Sequence, residues 1–210
     1  MKGIWFTGIC CLLLHMSYAQ PSAQDVLAKV SQVYQADKSL QANFSLSASS
    51  QGGSLGPAEQ GVLRLQGNRY RVDLGDRIFI SDGKDQWVVL KEVKEVQLTA
   101  VDENAGLTPS TVFNFYKNGY LTEMLDNTRI NGINCYVIEL KPAHKGQDIQ
   151  KIQMQVRQDN HRILAVQVWQ ENGDELQYTM TKQVPNGAMD SKLFLFDSKA
   201  YPDMELVDLR

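Results

Sequence analysis

Asp82, Lys84 and Asp85 lie in the stretch IFISDGKDQWVVL, residues 78–90, close enough in the chain to serve as acid, base and charge stabiliser of a hydrolytic site. Glu92 and Glu95 follow a few residues on, completing a dense set of groups able to move a proton. A structural account competes with the chemical one. Asp-Gly between two apolar runs is also the pattern of a tight turn, because glycine takes positive φ without steric cost. On that account Asp82 belongs to the turn, and the other carboxylates are solvated charges between strands. Nothing else in the chain supports catalysis. Residues 20–210 hold no His-Glu-x-x-His, no Walker-type glycine loop and no Cys-x-x-Cys. His144 and His161 fall in the turn-like stretches PAHKGQD and QDNHRI. Cys135 begins a strand pattern, where a buried structural thiol is the default. The turn reading prevails. No enzyme activity, cofactor or metal is expected, and a hydrolase using Asp82 and Asp85 is the weakest alternative.

The elements around these residues are mostly strands. PSAQDVLAKVSQVYQAD predicts a helix, with Ser22 and Asp25 as a capping-box start and Val26, Val30, Val33 and Tyr34 at helical spacing. LQANFSLSA then alternates, with Leu40, Ala42, Phe44 and Leu46 on one face. SSQGGSLGP is a flexible loop by its glycine content. GVLRLQGNRYRVDLG gives two strands across Gly67-Asn68, and Ile78–Ile80 and Trp87–Leu90 pair across the Asp-Gly turn. KEVQLTAV continues the meander. LTPSTVFNFYKNGY breaks it: Thr108 can cap a helix, Pro109 suits its first turn and Gly119 can end it. CYVIEL, KIQMQVRQD, RILAVQVWQENG and LQYTMTKQV alternate again, and KLFLF reads as a last strand. The expected fold is mainly β with helices (α+β). A large curved antiparallel sheet forms an unclosed half-barrel, with a few helices over it as a lid.

The N-terminus bears on the compartment. MKGIWFTGICCLLLHMSYA carries Lys2, an apolar run from Ile4 to Met16, and Ser17-Tyr18-Ala19 before a polar sequence. This is the layout of a cleaved secretory signal, with cleavage expected after Ala19 and a single domain over residues 20–210. Cleavage removes Cys10 and Cys11, so Cys135 has no partner for an intramolecular disulfide. Loss of Lys2 takes the formal net charge from −3 to −4. With no basic run, nucleic acid is not an expected partner.

The apolar side of the sheet is the stronger functional candidate. Phe44, Leu46, Leu63, Leu65, Tyr70, Val72, Trp87, Val89, Val96 and Leu98 form an expected apolar face on the first half. Met154, Val156, Val166 and Val168 extend it on the second. Two helices are little cover for so wide a sheet. Either the barrel fills itself, or a concavity suited to lipid remains beneath the helices. Val112, Phe113, Phe115 and Tyr116, crowded into one short helix, read equally as fixed core or as a lid over such a cavity.

Several of these pieces, in this order, resemble the periplasmic outer-membrane lipoprotein carrier family. They are SLQANFSL, EQGVLRLQGNRYRV, IFISDGKDQWVVLKEVKEVQLTAV, GLTP, IQMQVRQDNHRILAVQVWQENG and NGAMDSKLFLF. The resemblance implies a periplasmic binding protein, expected to be a monomer, that takes acylated lipoproteins from an inner-membrane ABC-type release complex. It would pass them to an outer-membrane acceptor. By position, Tyr70 and Val72 stand where the family has cavity residues, Phe113 on the lid helix and Val166 on the facing strand. The chain departs from the family at one turn. Where many members carry an Arg-Pro pair whose arginine holds the lid shut, this chain reads Gln66-Gly67-Asn68. An envelope sensor built on the same fold is the alternative.

Overall fold

The computed structural model of the protein describes residues 20–101, 116, 119–144, 146 and 148–210. Ser22 starts the one α-helix among them. Its hydroxyl accepts from the Asp25 backbone N–H at 3.1 Å, and the Asp25 carboxylate takes the Ser22 N–H at 3.3 Å. This reciprocal capping box satisfies two donors that a helix start leaves open. From there α1 runs Ala23–Ala36. Val26, Leu27, Val30 and Tyr34 form its apolar stripe, and all four are buried. Each fully buried valine or leucine contributes about 1.5–3 kcal/mol, so the stripe fixes the helix on the sheet.

The sheet has 12 strands: β1 (Leu40–Ser49), β2 (Glu59–Gln66), β3 (Arg69–Leu74), β4 (Arg77–Ser81), β5 (Asp85–Leu90), β6 (Glu95–Ala100), β7 (Tyr120–Ile130), β8 (Ile133–Pro142), β9 (Ile149–Arg157), β10 (Ile163–Gln170), β11 (Glu175–Pro185) and β12 (Glu205–Asp208). Two meanders, β1–β6 and β7–β11, join where β1 pairs with β11. Every pairing is antiparallel except β12 on β6. The spatial order begins at β12 and ends at β7, which do not pair, so the sheet is an unclosed half-barrel.

Two local outcomes differ from the sequence reading. KLFLF is not a strand. The Asp190 carboxylate accepts from the Lys192 N–H at 2.9 Å and starts a 3-10 turn, Ser191–Phe194. β7 was not foreseen, because it carries charged and polar residues on both faces and shows no clean alternation. The helix expected after Pro109 lies outside the described residues, and with it Val112, Phe113 and Phe115.

Register decides which side chains share a face. Leu63 pairs with Val72 and Leu65 with Tyr70. Phe44 pairs with Met180 and Leu46 with Tyr178, Val166 with Met154, and Ile138 with Met154. These residues line one continuous concave face, on which α1 sits. Between β3 and β4 a two-residue turn, Gly75-Asp76, sets Leu74 opposite Arg77. Arg77, Phe79 and Ser81 therefore face the concavity, while Ile78 and Ile80 face away. Ile78 pairs with Val89, Ile80 with Trp87, Val89 with Val96 and Trp87 with Leu98.

Trp87, Val89, Val96 and Leu98 were expected on the concave face and stand on the convex one. There Ile78, Ile80, Val89 and Val96 form a second small core, with Trp87, Phe196, Tyr201 and Met204 packed against it. Phe196 stacks between Trp87 and Tyr201, at 6.0 and 5.6 Å. The C-terminal segment thus roofs the back of β4–β6 before ending as β12.

Candidate functional site

The concave face is pinned shut at one end. Tyr34 of α1 donates to Gln183 Oε1 at 2.7 Å and accepts the Ile163 N–H at 3.0 Å. Burial pushes its pKa well above the ordinary tyrosine value, so the phenol stays neutral. Just beyond the helix, Asp37 takes two hydrogen bonds from Arg162, at 2.9 and 3.1 Å. The Arg162 guanidinium also lies 5.3 Å from the Tyr34 ring centroid. Tyr116 adds a third tie. Its hydroxyl donates to the Leu27 carbonyl at 2.9 Å and sits 2.8 Å from Ser31 Oγ.

Away from this end the apolar surface is less covered. Phe44, Leu63, Tyr70, Val72, Met154, Val156, Val166 and Val168 are buried. Leu46 and Leu65 are half-buried against the same cluster, as are Phe79, Leu176 and Tyr178. Backbone choices shape this surface. A Cβ on Gly61 would lie 2.4 Å from the Phe44 ring, so only glycine lets that ring cross β2. Tyr70 donates its hydroxyl to Gln86 Oε1, and burial pushes its pKa up to about 12. What results is a broad apolar concavity whose buried polar groups are hydrogen-bonded. Such a surface takes up hydrocarbon without fixing it through charge.

Phe79, Leu176 and Tyr178 were not singled out from sequence. Phe79 is hidden in Ile-Phe-Ile, where both faces are apolar. Leu176 and Tyr178 alternate cleanly in LQYTM and were legible as a face, though not as part of this one.

The turn between β2 and β3 keeps its arginines off the concavity. Arg64 pairs with Asp73 at 2.6 Å. Arg69 donates to Gln66 Oε1 at 2.7 Å and lies 5.3 Å from the Phe194 ring on the convex side.

The catalytic candidates have structural roles. Asp82 Oδ1 accepts the Lys84 and Asp85 N–H groups at 2.8 and 2.9 Å, closing the Asp-Gly turn, and Gly83 has φ +94°. Asp85 pairs with Arg210 at 3.2 Å. Glu92 is exposed, and Glu95 accepts from Gln97 at 2.7 Å. Cys135 is fully buried, and burial raises its thiol pKa, disfavouring a nucleophilic thiolate. His161 lies against the Tyr136 ring at 6.2 Å, and burial lowers its pKa. His144 is exposed in a turn. Gly52-Gly53-Ser54-Leu55-Gly56 fits the Gly-x-Ser-x-Gly pattern. It lies in the exposed β1–β2 loop rather than in the strand-turn-helix that this motif forms in α/β-hydrolases.

The described residues thus build an unclosed half-barrel with an apolar inner face. The chain belongs to the outer membrane lipoprotein carrier protein LolA family, whose model matches residues 35–197. Members of this family are binding and chaperone proteins of the envelope. Among solved structures, an uncharacterized conserved protein from Thermus thermophilus has a TM-score of 0.59. Its identity is 11%, over 89% of this chain and 98% of that one. A LolA superfamily protein from Nitrosomonas europaea has a TM-score of 0.44 at 16% identity, over 85% and 100%. The lipoprotein LppX from Mycobacterium tuberculosis has 0.47 at 11%, over 81% and 100%. No curated protein matches the chain. Among the described residues, no helix is long and apolar enough to cross a membrane.

Proposed function

We propose that this protein is a periplasmic lipoprotein carrier. It holds the acyl chains of lipoproteins against its concave face, taking them from an inner-membrane ABC-type release complex and delivering them to an outer-membrane acceptor. The observation that carries this reading is the continuous apolar inner face, with Leu46, Leu65, Phe79, Leu176 and Tyr178 left half-buried on it. Phe44, Leu63, Tyr70, Val72, Met154, Val156, Val166 and Val168 form its floor. Val112, Phe113, Phe115 and Tyr116 are proposed as the lid, with the Tyr116 bonds to α1 as its latch in place of the family arginine.

The energetics fit transport better than storage. Each buried methylene is worth about 0.8 kcal/mol, so two or three long chains nominally exceed about 25 kcal/mol on leaving water. Noncovalent affinity saturates near roughly 20 kcal/mol. The cavity need not reach that limit, because the chains come from one bilayer and go to another. The donor complex supplies the work of extraction.

The test is photo-crosslinking in cells, with the probe at Leu46 on the concave face and a control at Gln60 on the convex one. Lipoprotein adducts from Leu46 alone are expected. Adducts to a single membrane signalling protein would replace the carrier reading with a sensor. No adduct from a folded, exported protein would make the concave face simply core.

A further inference from the structure

One ion pair interrupts the concave apolar surface. Glu59 stands in register with Leu46, and Arg77 with Leu74, so both side chains emerge on the inner face. Arg77 Nη2 meets Glu59 Oε2 at 2.5 Å. The site is open to solvent, with the two side chains 40% and 34% exposed. The Glu59 carboxylate rests over the β3–β4 turn, 2.1 Å from where a Cβ on Gly75 would stand, and Gly75 itself has φ +56°.

The charge around Arg77 is lopsided. Asp76 Oδ1 lies 3.8 Å from its Nε. Glu95 is on the same face two strands away, since Arg77 pairs with Leu90 and Leu90 with Glu95. The guanidinium thus meets two carboxylates, with a third two strands away and Lys91 next to Asp76, between the half-buried Phe79, Leu90 and Leu46. An acyl chain lying along these residues would end with its head group at this pair. A neutral head can accept from guanidinium N–H groups that Glu59 leaves over, because arginine has five donors. A phosphate would have to displace Glu59 and sit among its neighbours.

We infer that the Glu59–Arg77 pair is a selectivity element: it admits acyl chains carried on an uncharged ester or amide head and rejects those attached to an anionic phosphate. This rests on the carrier reading and sharpens it. A carrier that loads at a phospholipid bilayer must avoid filling with the bilayer's own lipid, and hydrocarbon contacts cannot make that distinction. Charge at the head group can.

Two probes test the inference on the processed full-length protein: an N-acetylated diacylglyceryl-cysteine peptide amide of neutral sequence, and phosphatidylglycerol, both followed by displacement of a fluorescent fatty amide at low salt. Wild type is expected to prefer the lipopeptide. Glu59→Gln removes the charge that neutralises Arg77 and is expected to tighten phosphatidylglycerol about fivefold, the size of one solvent-exposed charge interaction. Lipopeptide affinity should stay within about twofold, and the gain should shrink in high salt. Glu59→Gln with Arg77→Gln should return phosphatidylglycerol to its weak wild-type affinity. Should Glu59→Gln fail to fold, Glu95→Gln carries the same prediction at smaller size. Unchanged phosphatidylglycerol affinity in a folded variant that still binds lipopeptide would overturn the selectivity role alone. Failure of wild type to bind either probe would overturn the carrier reading with it.

Discussion

The two halves of the sheet solve burial differently. Through β8–β10 and β1–β3, the concave face carries a continuous apolar cluster that α1 joins. In β4 and β5 both faces carry apolar residues. Phe79, Val88 and Leu90 point into the concavity, while Ile78, Ile80, Trp87, Val89 and Val96 point out beneath the C-terminal segment. The first arrangement leaves the convex surface of β1–β3 largely polar and packs α1 and Tyr116 into the concave cluster. The second needs a roof on the back of the sheet, which residues 191–204 provide. A carrier gains from this division. The convex core braces β4–β6 from behind, so their concave side need not be filled by the protein itself.

The largest effects should come from breaking one core and not the other. Phe194 has no exposed surface and packs beneath Arg69 on the convex side. Phe194→Ala should cost about 3–5 kcal/mol by denaturant unfolding, while the folded fraction still takes up the fluorescent fatty amide. A parallel loss of uptake would show that the roof also shapes the concavity. Met154, fully buried on the concave floor, gives the complementary case. Met154→Ala should cost about 2–5 kcal/mol and alter fatty-amide affinity as well. An unchanged affinity would separate the floor from the site.

A smaller effect concerns the convex surface of β8 and β9. There Glu139 is bonded to Lys141 at 2.6 Å and accepts from Gln153 at 3.0 Å, with Lys151 at 3.5 Å. The Lys141 and Gln153 hydrogen bonds hold its pKa down at about 2, against an ordinary 4.5. A depressed carboxylate pKa contributes stability above the unfolded value and loses it as protons bind. The contribution should be complete above about pH 4.5 and fade as pH falls toward 2. Melting curves across that window should fall more steeply for wild type than for Glu139→Gln. Parallel curves would remove Glu139 from the account of acid stability.

The smallest effect returns to the Asp-Gly turn. Asp82→Ala loses two side-chain bonds to backbone N–H groups and should cost about 0.5–1.5 kcal/mol, with lipoprotein delivery intact. Loss of delivery in a folded variant would restore a functional role to that carboxylate.

What was legible in the sequence was local. The Ser22–Asp25 cap, the α1 stripe, the Asp-Gly turn and the alternation of β1–β3 and β8–β11 follow from residue chemistry and periods of 3.6 and 2. They were enough for an open, curved sheet with an apolar face. The errors fell where alternation carries no direction. β4 and β5 are apolar on both sides, so the pattern could not say which side faced in. The two-residue turn pairing Leu74 with Arg77 decided that, and moved Trp87, Val89, Val96 and Leu98 to the back of the sheet. Polar β7 could not be recognised without β8 beside it. The Glu59–Arg77 pair joins residues from two strands that do not pair with each other, and no local spacing announces it. Periodicity is a property of a few neighbouring residues, whereas the choice of face and the meeting of distant charges are set by register and by what the rest of the chain lays over each surface.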